Sequence, residues 1–320
     1  MSRNLLFRWM SKGLIFISIF IVTTGILLGY LSTPGLSFYR MFEAKDKLLI
    51  STLGPRVITV GGSNVIFGQD SERLSLLLGK AVIDDGLAAP FGMRVTLNNL
   101  APYVHSGDIV VISPEYLNFF DDGLEGDNYY LALLLDAFPK AVGSFELPQY
   151  IRLPDIYIMM VRGKFQALFT NSSKTPQAEF NRFGDQIIPP GTVNSPNIPS
   201  DSFISDNQVF NPAAVGVFNR FARQVKAKGA MVVMVYPSAR MTNCWTTENS
   251  FKQLDTTLRN HLEFPILDHP FDSCFADNLF FNTYYHLDND GRELRTQQLA
   301  ELLIDQGVVK VGLGIISPGK

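Results

Sequence analysis

Two short segments, more than two hundred residues apart, hold the residue types that a nucleophilic serine needs. Val57-Ile58-Thr59-Val60-Gly61-Gly62-Ser63-Asn64 is an apolar strand pattern that stops at two glycines and a serine. Tyr284-Tyr285-His286-Leu287-Asp288-Asn289-Asp290-Gly291-Arg292 is a loop with one histidine that leads into a helix start. A serine hydroxyl becomes a useful nucleophile when a base stands within hydrogen-bond reach. The carboxyl ends of the strands in an α/β sheet lie on one side. A serine on the first βα loop and a histidine ahead of the last helix can therefore face each other. Gly61 and Gly62 let the chain turn sharply and leave room for a substrate. They also free the Ser63 amide to point at an oxyanion, and donors placed where negative charge develops often supply the largest catalytic effect. The plainer reading is an ordinary strand-to-helix turn and a packed histidine. His105, His261 and His269 fall in a polar turn, at a helix end and beside Pro270, and each suits a surface position.

The elements that must position Ser63 and His286 follow an α/β rhythm. Arg56–Val60 reads as the first core strand, Asp70–Leu78 as a helix, Lys80–Ile83 as a short strand, Gly92–Leu100 as a helix and Asp108–Ser113 as a buried strand. From about 117 to 210 the pattern loses regularity, with many prolines and a loop-like stretch over 174–203; a helix is expected within it at 156–169. The aromatic residues Tyr116, Phe119, Phe120, Tyr129 and Tyr130 lie at its start and suit either core packing or stacking on sugars. The rhythm resumes with a helix from Pro212, a strand at Met231–Val235, a helix at Thr247–Leu262, a short strand at Pro265–Leu267 and a last helix at Gly291–Gln306, capped by Asp290 with Glu293. Alternating strands and helices predict a doubly wound, mostly parallel sheet covered on both faces.

Composition narrows the partners. A length of 320 residues with 46% hydrophobic and 18% charged residues suits one large domain, and a net charge of −3 without a basic stripe argues against nucleic acid. Arg3, Arg8 and Lys12 precede an uncharged apolar run from Gly13 to Leu31. The run is long enough to span a bilayer, and the preceding positive charge predicts a cytoplasmic N-terminus with the remainder outside. No small-x-small cleavage signal follows, which favours an anchor over a removed leader. The expected organisation is a cytoplasmic end at 1–12, an anchor at 13–34, a linker at 35–54, a domain at 55–310 with an insertion at about 117–210, and a tail at 311–320. Cys244 and Cys274 would pair in an oxidising compartment or else remain as buried thiols. Asn171-Ser172-Ser173 fits a glycosylation tripeptide. No metal-ligand cluster, phosphate loop or dinucleotide fingerprint is present, so no cofactor is expected.

Together, Val60-Gly61-Gly62-Ser63-Asn64-Val65-Ile66-Phe67-Gly68 and Tyr285–Thr296 resemble the first and last blocks of the SGNH (GDSL-type) hydrolase superfamily, in its membrane-anchored esterase and O-acyltransferase-like branch. Gly86–Gly92 falls where the second block places its oxyanion glycine, and Gly107–Tyr116 where the third block begins. The resemblance covers about 55–116 and 211–306. It implies a flavodoxin-like fold, Ser63 as nucleophile, His286 as base, and the amides of Ser63 and of Gly86 or Gly92 as the oxyanion hole. It implies an acyl-ester substrate such as an acylated cell-surface or secreted polysaccharide, and a multi-span membrane acyltransferase as partner.

Two departures stand out. The third block's asparagine is absent, and Pro114-Glu115-Tyr116 stands there instead. The aspartate that the family places three or four residues before its histidine is absent too, those positions being Thr283 and Asn282. That acid orients the imidazole and stabilises its charged form. Three readings stay open: a Ser63–His286 dyad whose ring is oriented by a backbone carbonyl or by Asn282; a substitute carboxylate among Asp272, Asp277 and Asp288; or a silent member that binds without cleaving and serves polysaccharide assembly or export.

Overall fold

The computed structural model describes residues 3–30, 39–167, 169, 179–188, 194, 197–200, 203–205 and 208–310. In chain order the helices are α1 (Arg3–Tyr30), α2 (Met41–Ser51), α3 (Ser63–Ile66), α4 (Ser71–Leu78), α5 (Met93–Leu100), α6 (Asn128–Ala137), α7 (Leu147–Ala167), α8 (Ala213–Ala227), α9 (Met241–Thr246), α10 (Glu248–His261) and α11 (Asn289–Asp305). The strands are β1 (Arg56–Gly61), β2 (Ala81–Asp84), β3 (Ile109–Ser113), β4 (Met231–Met234), β5 (Ala239–Arg240) and β6 (Cys274–Phe275).

β1 to β4 form one parallel sheet in the order β2-β1-β3-β4. Its central strands are runs of Val and Ile because both faces are covered. Successive side chains point to opposite faces, and the two cores divide accordingly. Val57, Val111 and Val233 pack with Leu74 and Leu78 of α4 and Leu299 and Leu303 of α11. Ile58, Val60, Val110 and Ile112 pack with Leu97 and Leu100 of α5 and with Val217, Phe218 and Phe221 of α8.

The strand order reverses between β1 and β3. From β1 the chain moves out to β2, then crosses back to place β3 on the other side of β1. Loops that leave neighbouring strands in opposite directions open a crevice at the carboxyl edge, where open α/β sheets bind ligands. Gly61 and Ser113 are partners in register at that edge, so the residues just beyond them, Ser63 and Glu115, flank the crevice.

Several elements differ from expectation. Within the segment expected to be a linker, 35–54, α2 buries Met41, Phe42, Lys45, Asp46 and Leu49. α1 begins at Arg3, inside the stretch expected to precede the anchor. α7 starts at Leu147, well before 156, and carries Pro154 within it. The expected strand at 265–267 is a single bridge between Met234 and Ile266. α11 is capped by Asp288, whose side chain accepts the Gly291 amide, and not by Asp290. The irregular segment closes on itself: Phe120 and Phe210 meet in an antiparallel bridge. The glycosylation tripeptide, residues 31–38 and the tail at 311–320 lie outside the described residues. Cys244 and Cys274 are joined by a disulfide that ties α9 to β6.

Candidate active site

Ser63 is the first residue of α3, and Gly62 before it is extended. Neither preceding glycine tolerates a side chain. A Cβ on Gly61 would lie 2.0 Å from the Ser113 carbonyl, and one on Gly62 2.5 Å from Glu115 Oε1. Asn64 stitches the turn to β3. Its Oδ1 accepts the Gly62 amide at 3.1 Å, and its Nδ2 donates to the Ser113 carbonyl at 3.1 Å and the Ser113 hydroxyl at 3.0 Å.

The loop before α11 brings His286 to Ser63. His286 Nε2 lies 2.8 Å from Ser63 Oγ, and Nδ1 lies 2.7 Å from Asn282 Oδ1. An amide oxygen only accepts, so Nδ1 carries the proton and Nε2 keeps its lone pair toward the serine. Thr283 Oγ1 shapes the loop by accepting the amides of Tyr285 and His286, each at 3.2 Å. The Phe67 ring covers the imidazole, 4.2 Å between centroids at 30°. This desolvation lowers the His286 pKa to about 4, because the charged form loses water without gaining an anion. The ring is therefore neutral and able to accept a proton at ordinary pH.

The other candidate orienters are engaged elsewhere. Asp288 caps α11 and accepts from Asn194 Nδ2 at 2.9 Å. Asp277 accepts the Thr242 amide and pairs with Arg240 at 3.0 Å. Asp272 accepts the His269 amide at 2.8 Å. Asn282 holds the place expected of the missing acid.

The oxyanion assignments change more. The Gly86 amide donates to Asp84 Oδ1 at 2.7 Å, and its carbonyl accepts from Lys45 Nζ. The Gly92 amide donates to the Ala89 carbonyl at 2.9 Å, and its φ of +80° serves the entry to α5. The Ser63 amide lies beside Glu115, whose Oε1 accepts the neighbouring Asn64 amide at 3.2 Å. Neither glycine donor is free in this arrangement, because the local turns consume both.

Glu115, which the residue pattern did not single out for chemistry, joins the site instead. It follows β3 at the crevice and is 4% exposed. Its Oε1 accepts from Ser63 Oγ at 2.8 Å and from the Asn64 amide at 3.2 Å. Burial raises its pKa, and the hydrogen bonds from Ser63 and Asn64 oppose that shift. The available signal was its position two residues past the end of β3, beside the reversal in strand order. Asn118 ties this loop to its neighbour, donating to the Gly123 carbonyl at 3.1 Å. Tyr116, Phe119 and Phe120 are core residues, and Tyr129 is exposed. Among the described residues no group of His, Cys, Asp or Glu could hold a metal ion.

Chemically, a hydroxyl with a neutral imidazole in reach can be acylated. A groove of about 590 Å³ runs between α4 and α11, lined by residues including Asp70, Arg73, Gln186, Arg292 and Glu293, without Ser63 or His286 among its walls.

No family model matches the chain, and no curated protein does. Among solved structures, the crystal structure of protein YxiM from Bacillus subtilis is similar at 12% identity with a TM-score of 0.35. The similarity covers 80% of this chain, which spans 58% of that structure's length.

Proposed function

We propose that the protein is a serine-dependent ester hydrolase or O-acyltransferase of the SGNH type, with Ser63 as nucleophile and His286 as base. The observation that carries this reading is the 2.8 Å approach of His286 Nε2 to Ser63 Oγ at the crevice where the strand order reverses. The flavodoxin-like strand order and the inserted segment between β3 and α8 fit the same reading. Ser63 Oγ attacks an acyl carbonyl carbon while its proton passes to Nε2. The tetrahedral intermediate collapses, the leaving alkoxide takes that proton, and Ser63 keeps the acyl group as an ester. Water or a sugar hydroxyl then gives its proton to Nε2, attacks the ester and releases Ser63.

The proposal extends to place. α1 anchors the chain, Arg3, Arg8 and Lys12 hold its start in the cytoplasm, and the domain faces outward, where the disulfide is stable. An acylated cell-surface polysaccharide and a multi-span membrane partner fit that setting.

A second reading is a silent fold of the same type, serving polysaccharide assembly or export. It is favoured by Glu115, which as a carboxylate would hold the Ser63 hydroxyl and the adjacent Asn64 amide away from a substrate. Labelling with a fluorophosphonate probe separates the two. Wild type should label, and Ser63→Ala and His286→Ala should not. Absence of labelling in folded wild type would leave the silent reading standing.

A further inference from the structure

A serine hydroxyl has one proton, and here two acceptors stand equally close to it. His286 Nε2 and Glu115 Oε1 each lie 2.8 Å from Ser63 Oγ. If Glu115 is ionised, its carboxylate competes with the imidazole for that proton. It also places a negative charge beside the carbonyl oxygen that must itself become negative, and like charges at such range oppose each other strongly in a dry site. If Glu115 is neutral, the charge penalty vanishes, Oε1 becomes a weaker competitor for the Ser63 proton than a carboxylate, and the carboxylic acid brings an O–H donor to a site whose glycine amides are engaged.

The surroundings of Glu115 are those of a group held neutral. Among the described residues no cation forms an ion pair with it. The titratable groups facing it are His286, through Ser63, and the Tyr285 phenol, whose own pKa burial holds well above the usual range. Around it also lie the Asn64 and Ser63 amides and the backbone of Tyr116, whose amide donates to Tyr285 Oη at 3.2 Å. Burial without a cation favours the protonated form of a carboxyl group. Oε1 takes the donors from Ser63 and Asn64, while Oε2 has no protein partner among the described residues. Oε2 is thus the oxygen left to meet a substrate.

We propose that Glu115 is a catalytic residue that acts as a neutral acid, its Oε2–H donating to the substrate carbonyl oxygen as that oxygen gains charge. This rests on the serine-esterase reading above. Glu115 keeps its proton throughout, and the proton of Ser63 goes to His286. A carboxylic acid held neutral near pH 7 can serve as such a donor. The site then works only between two titrations: His286 must be neutral and Glu115 protonated, so activity falls at low pH through His286 and at high pH through Glu115.

The test uses the full chain in detergent micelles and the hydrolysis of p-nitrophenyl acetate from about pH 4 to about pH 9. Wild type should give a bell-shaped profile, and its rate of fluorophosphonate labelling should fall along the same high-pH limb. Glu115→Gln supplies an amide donor at every pH. It should lose the high-pH limb and overtake wild type there, while running slower at the wild-type optimum. Glu115→Ala should lower kcat by about 10²–10³-fold with little change in KM, the effect of removing one oxyanion donor. A Glu115→Gln profile with the high-pH limb intact, or wild-type activity that rises with pH while Glu115→Gln is dead, overturns the role of Glu115 and leaves the esterase reading in place. Wild type inactive and unlabelled at every pH overturns both.

Discussion

Asn282 decides how strong a base His286 can be. Its amide oxygen orients the ring as well as a carboxylate would, at 2.7 Å from Nδ1, but it brings no charge to meet the imidazolium that forms when Ser63 is deprotonated. In a serine protease the change from aspartate to asparagine at the equivalent role costs on the order of 10⁴ in rate, largely because the ring takes the wrong tautomer; with Nδ1 of His286 already protonated, only the share due to the missing charge applies here. The reverse change should recover part of that loss. Asn282→Asp is expected to raise kcat/KM for p-nitrophenyl acetate by about tenfold or more and to lift the His286 pKa from about 4, moving the low-pH limb upward. A rate unchanged or lowered, with His286 still titrating near its wild-type value, would show that the ring is not the working base. Ser63 and His286 were legible because their neighbours are diagnostic: two glycines at a strand end, and a tyrosine-flanked histidine ahead of a helix. Glu115 was not, because a lone glutamate ordinarily reads as a surface residue. Only the register of β1 against β3, a long-range pairing, turns it inward onto Ser63. Gly86 and Gly92 were misjudged for a related reason. A glycine marks where a backbone comes close or turns, and it does not say where its amide points.

Among the elements, the strands of the sheet declared themselves through β-branched runs, and α2 did not. Its sequence, Met41-Phe42-Glu43-Ala44-Lys45-Asp46-Lys47, looks like a charged spacer because Lys45 and Asp46 interrupt the apolar pattern. Both are buried, and each has a distant partner. Lys45 Nζ reaches Asp84 Oδ1 at 2.8 Å and also the Gly86 carbonyl, while Asp46 accepts from Asn99 and Tyr103. α2 therefore pins the loop after β2, which runs beneath the site: Leu87 donates to the Gly61 carbonyl at 2.9 Å, and the Ala89 Cβ lies where a side chain on Gly62 would sit. A buried pair adds little when compared with an apolar pair, but breaking it by removing one partner strands a charge. Lys45→Met should lower unfolding free energy by about 3–5 kcal/mol, read by denaturant titration of the purified chain. The companion change Lys45→Met with Asp84→Leu should restore most of it. A single variant as stable as wild type would mean that α2 is not a structural part of the domain.

At the scale of the whole molecule, two helices, α1 and α7, carry many of the exposed large apolar side chains. α1 carries a stretch, Phe7–Ile26, long and apolar enough to cross a bilayer, with its side chains unburied by the domain. Twenty residues of helix rise about 30 Å, the thickness of a hydrocarbon core. α1 approaches α7, whose outer face exposes Leu147, Ile151, Ile158 and Phe165. On that helix Gln149, Ile156, Met160 and Lys164 turn inward, so the outer face of α7 is largely apolar, with Asp155 and Arg162 exposed among those residues. The site lies at the carboxyl edge of the sheet, on a different element from either helix. A spanning α1 should keep the full chain in the pellet when membranes are washed with alkaline carbonate, and detergent should release it. Protease added to intact spheroplasts should digest the domain if Arg3, Arg8 and Lys12 fix the start inside. Recovery of the intact full-length chain in the carbonate supernatant would remove the anchor. Retention in the pellet with the domain protected would keep the anchor and reverse its orientation, placing the domain and its disulfide in the cytoplasm.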